Sequence, residues 1–129
     1  MSAKIKTIDT DLRGYLYEIS ELSDGWAGVD SIAPSGMVVS NTVKFLMFFP
    51  KSLTGHLSQE SFTPTPYGTI VVDWYNEEDC FSLEVGTKKV GWFLNLDAKF
   101  VECSEGVPFY DCNTYRDSIN CANKLFNQQ

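Results

Sequence analysis

Between Tyr67 and Cys103 the chain alternates apolar and polar residues, and short clusters of turn-forming residues interrupt the alternation. Thr69 to Tyr75 (TIVVDWY) is dense in β-branched and aromatic residues, which pack well on a pleated, half-buried surface. Successive side chains of a strand point to opposite faces, so Ile70, Val72 and Trp74 share one face, while Val71, Asp73 and Tyr75 share the other. Cys80 to Val85 repeats the pattern, with Phe81, Leu83 and Val85 set against Cys80, Ser82 and Glu84. A third run places Val90, Trp92, Leu94 and Leu96 on one side and Gly91, Phe93 and Asn95 on the other. Phe100 to Cys103 reads as a short fourth strand. The segments between the runs, residues 76–79, 86–89 and 97–99, are turn-like and too short to hold a crossover helix. The expectation is a four-stranded antiparallel β-meander with one face almost wholly apolar, which the rest of the chain must cover.

The flanking sequence supplies helices for that purpose. Thr10 can cap a helix running to about Leu22, with Leu12, Tyr15, Leu16, Ile19 and Leu22 as its stripe. Residues 22–36, rich in Gly, Asp and Ser, read as a loop, from whose end Ser35 caps a second helix reaching about Phe49 before Pro50 closes it. Val39, Val43, Leu46 and Met47 are its inward candidates. Lys51 to Pro66 reads as irregular, ending in polyproline-like backbone at Thr63-Pro64-Thr65-Pro66. Glu105 to Asp111 is expected to be a loop, followed by a helix from about Asn113 to Asn127 with Tyr115, Ile119, Ala122 and Phe126 inward. Two N-terminal helices, the sheet and one C-terminal helix make a single α+β domain over residues 1–129.

Composition narrows the function. The hydrophobic fraction of 43% and aromatic fraction of 14% belong to a folded chain. A net charge of −7 disfavours direct binding to nucleic acid or to an anionic membrane, and it suits a protein partner with a basic surface. The only nearby cations for a nucleic-acid contact are Lys88, Lys89 and Lys99. No stretch has the length of a signal-peptide core or a membrane span, so the expected location is the cytoplasm, with Cys80, Cys103, Cys112 and Cys121 as free thiols. Those cysteines form no CxxC pair, and their spacing matches no metal-ligand pattern.

Two stretches carry a resemblance. Asp24-Gly25-Trp26-Ala27-Gly28 followed by Ala33-Pro34-Ser35, and Thr63-Pro64-Thr65-Pro66-Tyr67-Gly68-Thr69-Ile70 leading to Trp74, resemble a pattern in uncharacterised bacterial and phage-borne small proteins. In that pattern a first helix ends in a glycine-flanked Trp loop, and a proline-rich approach enters a strand. This chain has Ala27 where an acidic residue is expected. The resemblance brings no established chemistry, so no residue role is carried over from it.

The sequence contains no nucleophile elbow, zincin helix or phosphate loop. The single histidine, His56, lies in a loop with no Cys or Asp nearby in sequence, and a solvated histidine is the plainer reading. No catalytic, cofactor-binding or metal-ligating residue is therefore assigned, and no cofactor is implied. Asp73, Glu77, Glu78, Asp79 and Glu84 form an acidic segment with no cation among them. It reads first as an exposed acidic hairpin, and alternatively as a divalent-cation site or a surface for a basic partner. Tyr75 and Phe93 fall on the less apolar sheet face, where aromatics are anchors for a partner or for self-association, unless a second layer covers them. Trp26, in its flexible loop, is an anchor either for the core or for a partner. The functional expectation is an acidic protein-binding module acting through Trp26, Asp73, Tyr75, Glu77, Glu78, Asp79 and Phe93, such as a phage-borne or mobile-element regulator or inhibitor. The alternative is a small-molecule or cation-dependent hydrolytic domain built on the acidic hairpin.

Overall fold

A computed structural model of the chain describes residues 11–97, 99–108 and 111–126. At its centre, β1 (Phe62–Pro64), β2 (Ile70–Asn76), β3 (Asp79–Val85), β4 (Lys89–Leu96) and β5 (Lys99–Pro108) lie side by side in chain order as one antiparallel sheet. The alternation of β2 to β4 is realised as read. Ile70, Val72, Trp74, Phe81, Leu83, Val85, Val90 and Leu94 are all at most 1% exposed, and they form the core with residues from the helices.

The sheet has five strands, where the sequence suggested four. The added strand β1 occupies the expected polyproline segment. Phe62 is buried with its ring 5.8 Å from that of Tyr15, which draws the following residues alongside β2. Pro64 is tolerated there because an edge strand need not donate from every N–H. At the opposite edge, β5 runs well beyond Cys103 to Pro108, through residues expected to be loop. It stays paired to β4 by slipping register twice, between Val90 and Trp92 and between Leu94 and Asn95. Gly91 permits the first slip, since a Cβ there would stand 3.0 Å from the Ser104 carbonyl.

Helical residues 11–15 (α1) and α2 (Tyr17–Ser20) replace the single expected helix. They part at Leu16, whose N–H is shared between the carbonyls of Leu12 and Arg13 at 3.2 Å each, two residues after Gly14. The stripe survives the break: Leu12, Leu16 and Ile19 are buried. The proposed Thr10 cap lies outside the described residues. α3 (Gly36–Leu46) begins where Ser35 Oγ accepts from Val38 N at 3.3 Å, as read, and ends short of Phe49. α4 (Lys51–Thr54) is a helical turn in the stretch expected to be irregular. α5 (Cys112–Phe126) buries Thr114, Ser118, Cys121, Ala122 and Leu125, a stripe rotated from the expected one. These small residues let the helix lie close to the sheet. The larger side chains of the expected stripe reach sideways instead, Tyr115 to Phe45 and Phe48 (4.7 and 4.3 Å between centroids) and Phe126 to His56 (4.2 Å).

The helical layer covers the apolar face and is pinned to it by polar side chains at fixed points. Asn41 of α3, only 3% exposed, donates through Nδ2 to the carbonyls of Gly86 and Thr87, both at 3.0 Å. Asn76 Nδ2 donates to the Leu125 carbonyl at 2.9 Å, and Lys124 Nζ lies 3.0 Å from Glu102 Oε2. Trp74 is the hub: its indole Nε1 donates to the Leu53 carbonyl of α4 at 2.9 Å, and its ring stacks on Phe49 and tilts against Phe81 (centroids 5.6 and 5.5 Å). Among the described residues, no helix is long and apolar enough to cross a membrane.

The loop before α3 is cross-braced, with Gly25 N bonded to the Ser31 carbonyl, Ala27 N to Ser31 Oγ, and Ala33 N to Asp24 Oδ1. It meets the approach to β2, where Ile32 N donates to the Pro66 carbonyl at 2.8 Å in an isolated parallel bridge. Gly68 has φ +85°, and a Cβ there would come within 3.1 Å of Ile32 Cγ2. The glycines that punctuate both stretches of the resemblance are thus accounted for by backbone geometry.

Replacing Trp74 with Phe removes the indole donor and leaves the Leu53 carbonyl buried without it, a loss of about 1–3 kcal/mol before any packing defect is counted. Urea unfolding should show a lower midpoint with an unchanged slope. An unchanged midpoint would remove Trp74 from its place as the hub.

Candidate functional site

The other face of the sheet is built from the alternate residues of the same strands, and its rows follow from the register. Val71, Glu84 and Gly91 make one row; Asp73, Ser82, Phe93 and Cys103 the next; Tyr75, Cys80 and Asn95 the third. α3 and α5 pack on the opposite side, so among the described residues this face has no helix over it. Tyr75 is 63% exposed, and Val71 and Phe93 are half-buried. Toward the β3–β4 turn the face dips into a groove of about 900 Å³, walled by residues 86–89 on one side and by the bulged end of β5, residues 103–106, on the other. Glu84 is held at its rim, where Thr69 Oγ1 donates to Glu84 Oε2 at 2.6 Å.

The second and third rows are electrostatically linked. Burial raises the Asp73 carboxyl above the ordinary Asp range, against the opposing effect of its hydrogen bond with Ser82. The charge of Asp73 in turn raises the neighbouring Tyr75 phenol, with burial and Cys80 adding to the shift. Burial, then Asp73, pushes the Cys80 thiol up to about 11, and the hydrogen bond with Tyr75 partly offsets this. Cys121, on the helical side, is pushed up to about 12 by burial and by its hydrogen bond to Glu102. All four cysteines are free thiols. Cys80 and Cys121 are therefore poor nucleophiles near neutrality.

The expected site residues separate into groups. Asp73, Tyr75 and Phe93 share the open face, and Glu77 and Glu78 project from the β2–β3 turn at its end. Glu77 adopts a left-handed φ of 59° in that turn. Asp79 does structural work instead, its Oδ1 accepting from Asp97 N at 2.9 Å and so tying two turns together. With Glu84 bound to Thr69 and Asp73 to Ser82, three of the five carboxylates of the acidic segment are held in separate contacts. Among the described residues, no group of three or more His, Cys, Asp or Glu side chains is placed to hold a metal ion. His56 stacks on Phe126 at an interplanar angle of 10°, which makes its partner an aromatic ring.

Trp26 stands apart from the open face. Half-buried, it donates from Nε1 to the Ile32 carbonyl at 3.2 Å and lines a smaller cavity of about 270 Å³ with Tyr15, Leu22 and Phe62. The loop it belongs to carries exposed apolar residues that sequence reasoning did not single out: Val29 (97% exposed), Ile32 and, across the parallel bridge, Tyr67. The groove wall at Cys103–Gly106 was also missed. Its signal was Gly91, a glycine inside an alternating strand, which marks a bulge.

No known family model matches the chain, and no curated protein or solved structure matches it.

Two measurements test this electrostatic picture. The folded state holds the Asp73 proton more tightly than the unfolded state does, so the ionised carboxylate weakens the fold at neutral pH. That loss is absent below the ordinary Asp value of 3.8, where both states are protonated, and it sets in as pH rises through the raised folded value. Asp73→Asn should therefore raise the melting temperature at pH 7 and leave it unchanged at pH 3. A drop at pH 7 would show that the charge supports the fold. In thiol titration at pH 8 without denaturant, exposed Cys103 and Cys112 should react quickly, and Cys80 and Cys121 slowly. Four equal rates would contradict the burial described.

Proposed function

We propose that this chain is a small acidic protein-binding module that engages a basic partner through the open face of its sheet and the adjoining Glu77-Glu78 turn. The observation that carries the reading is a five-stranded sheet whose apolar core lies on one side, while the other side presents Val71 and Phe93 in a groove of about 900 Å³ and Tyr75 beyond it toward the β2–β3 turn. Aromatic residues set among acidic ones are suited to anchoring a partner, and they are the residue types that dominate binding energy where they occur. The net charge of −7 would accelerate encounter with a cationic surface. Trp26 is not part of this contact, since it lies with α1, α2 and β1. A regulator or inhibitor of a host protein, carried by a phage or mobile element and working in a reducing cytoplasm, is the role that these properties and the sequence resemblance suit. The groove also favours a second reading, a small-molecule ligand, because its volume falls within the roughly 300–1,000 Å³ typical of such pockets.

The test compares capture by the tagged protein with capture by three variants that retain native unfolding curves: Phe93→Asp, the triple change Glu77→Gln, Glu78→Gln and Asp79→Asn, and Trp26→Ala. One stoichiometric partner should be lost with Phe93→Asp, weakened and made less salt-sensitive in the triple variant, and retained with Trp26→Ala. A partner retained by Phe93→Asp, or lost only with Trp26→Ala, would overturn the assignment of the surface.

A further inference from the structure

We infer that the element seated on the open face is an amphipathic α-helix of the partner, with its basic N-terminal half over the Glu77-Glu78 turn. This rests on the face being the protein-binding surface and specifies what it binds. Backbone hydrogen bonding favours a helix. A sheet face offers side chains and no free ladder of N–H and C=O groups, so an extended segment lying across it would leave its own backbone groups unpaired. A helix pairs its backbone internally and needs only an apolar stripe to dock. The same solution already covers the opposite face, where α3 and α5 lie on the sheet.

The dimensions of the face also fit a helix. The groove reaches from β2 to β5, which is three interstrand spacings or about 14 Å, wide enough for a helix of about 10–12 Å diameter. The seven residues of β3 extend about 23 Å, the length of a helix of about 15 residues. Val71 and Phe93 flank that track, and Tyr75 stands at its acidic end.

Charge sets the direction of the helix. At the end of the face bearing the β2–β3 turn are Asp73, Glu77 and Glu78, with Asp97 in the neighbouring β4–β5 turn, while Asp79 and Lys99 stand in register with Asn76 and Leu96 on the helical side. At the other end, Lys88 and Lys89 of the β3–β4 turn are balanced by Glu84 and Glu105. The face is thus strongly negative at one end and near neutral at the other. A helix carries partial positive charge at its N-terminus and negative at its C-terminus, so it lies most favourably with its N-terminus over the acidic end. Basic side chains in its first half would add to the preference.

The probes are two synthetic 15-residue peptides, each stapled to equal helicity and sharing one apolar stripe. One carries Lys in its N-terminal half and Gln in its C-terminal half, and the other is reversed. The first should bind about tenfold more tightly at low ionic strength, the gap should close as salt is added, and Phe93→Asp should lose both. Exchanging the charges, with Glu77→Lys and Glu78→Lys beside Lys88→Glu and Lys89→Glu, should reverse the order of affinities. Equal affinities, the opposite order, no binding by either peptide, or binding that survives Phe93→Asp would each overturn the helix inference. Those results leave the capture experiment to stand or fall on its own, so failure of the helix and failure of the protein-binding reading remain distinguishable.

Discussion

The strict alternation of side chains along β2, β3 and β4 is the constraint on which the rest depends. Because the period of a strand is two, one registered set of residues delivers every large apolar side chain of these strands to the same side. A slip of one residue between any pair would exchange Trp74 or Leu83 for Asp73 or Glu84 in the core. The helices answer that requirement. α3 and α5 carry few strong helix formers in their buried stripes, and they are held by packing and by side-chain hydrogen bonds at their ends rather than by propensity.

Trp74 shows how the two layers are coupled. Its ring fills the space between Phe49 and Phe81, while its N–H reaches a carbonyl of the short helix α4. α4 is a single turn that could not persist alone, and its place in the fold follows from satisfying that buried donor. Asn41 and Asn76 act similarly at opposite ends of the sheet, converting turn and helix-end carbonyls into fixed attachments. Among the described residues, no buried side-chain polar atom lacks a partner.

What was legible in the sequence is what local periodicity encodes: the three central strands, the faces of their side chains, the Ser35 cap and the Leu12-Leu16-Ile19 stripe. What was not legible depends on distant contacts. β1 exists because Phe62 finds Tyr15, a pairing invisible to any window of sequence. β5 outruns its expected length because two register shifts, one of them at Gly91, keep it paired, and a bulge disguises a strand by breaking its alternation. The stripe of α5 was misplaced because Tyr115 and Phe126 look more buried than Thr114 and Ser118. Close approach to a sheet favours the smaller side chains. In the candidate site, Asp73, Tyr75 and Phe93 were brought together as the alternation implied. Trp26 and the carboxylates of Asp79 and Glu84 were drawn into separate structural contacts that composition cannot reveal.

Neither edge of the sheet is suited to strand addition. A free edge is the usual place for a partner to add a strand, and here both edges are blunted. β1 offers three residues ending in Pro64. β5 is bulged twice, turns at Gly106 with φ +61°, carries Lys99 and Glu105, and directs Glu102 to Lys124 and Cys121 on α5. Among the described residues, the sheet is protected at both edges and covered by helices on one side. On its other side Asp73 keeps a carboxylate half-buried beside Ser82, Tyr75 and Cys80 although burial opposes its charge. The sheet thus tolerates on its open face a partly desolvated carboxylate that the core side, lined by the buried apolar residues of β2 to β4, excludes.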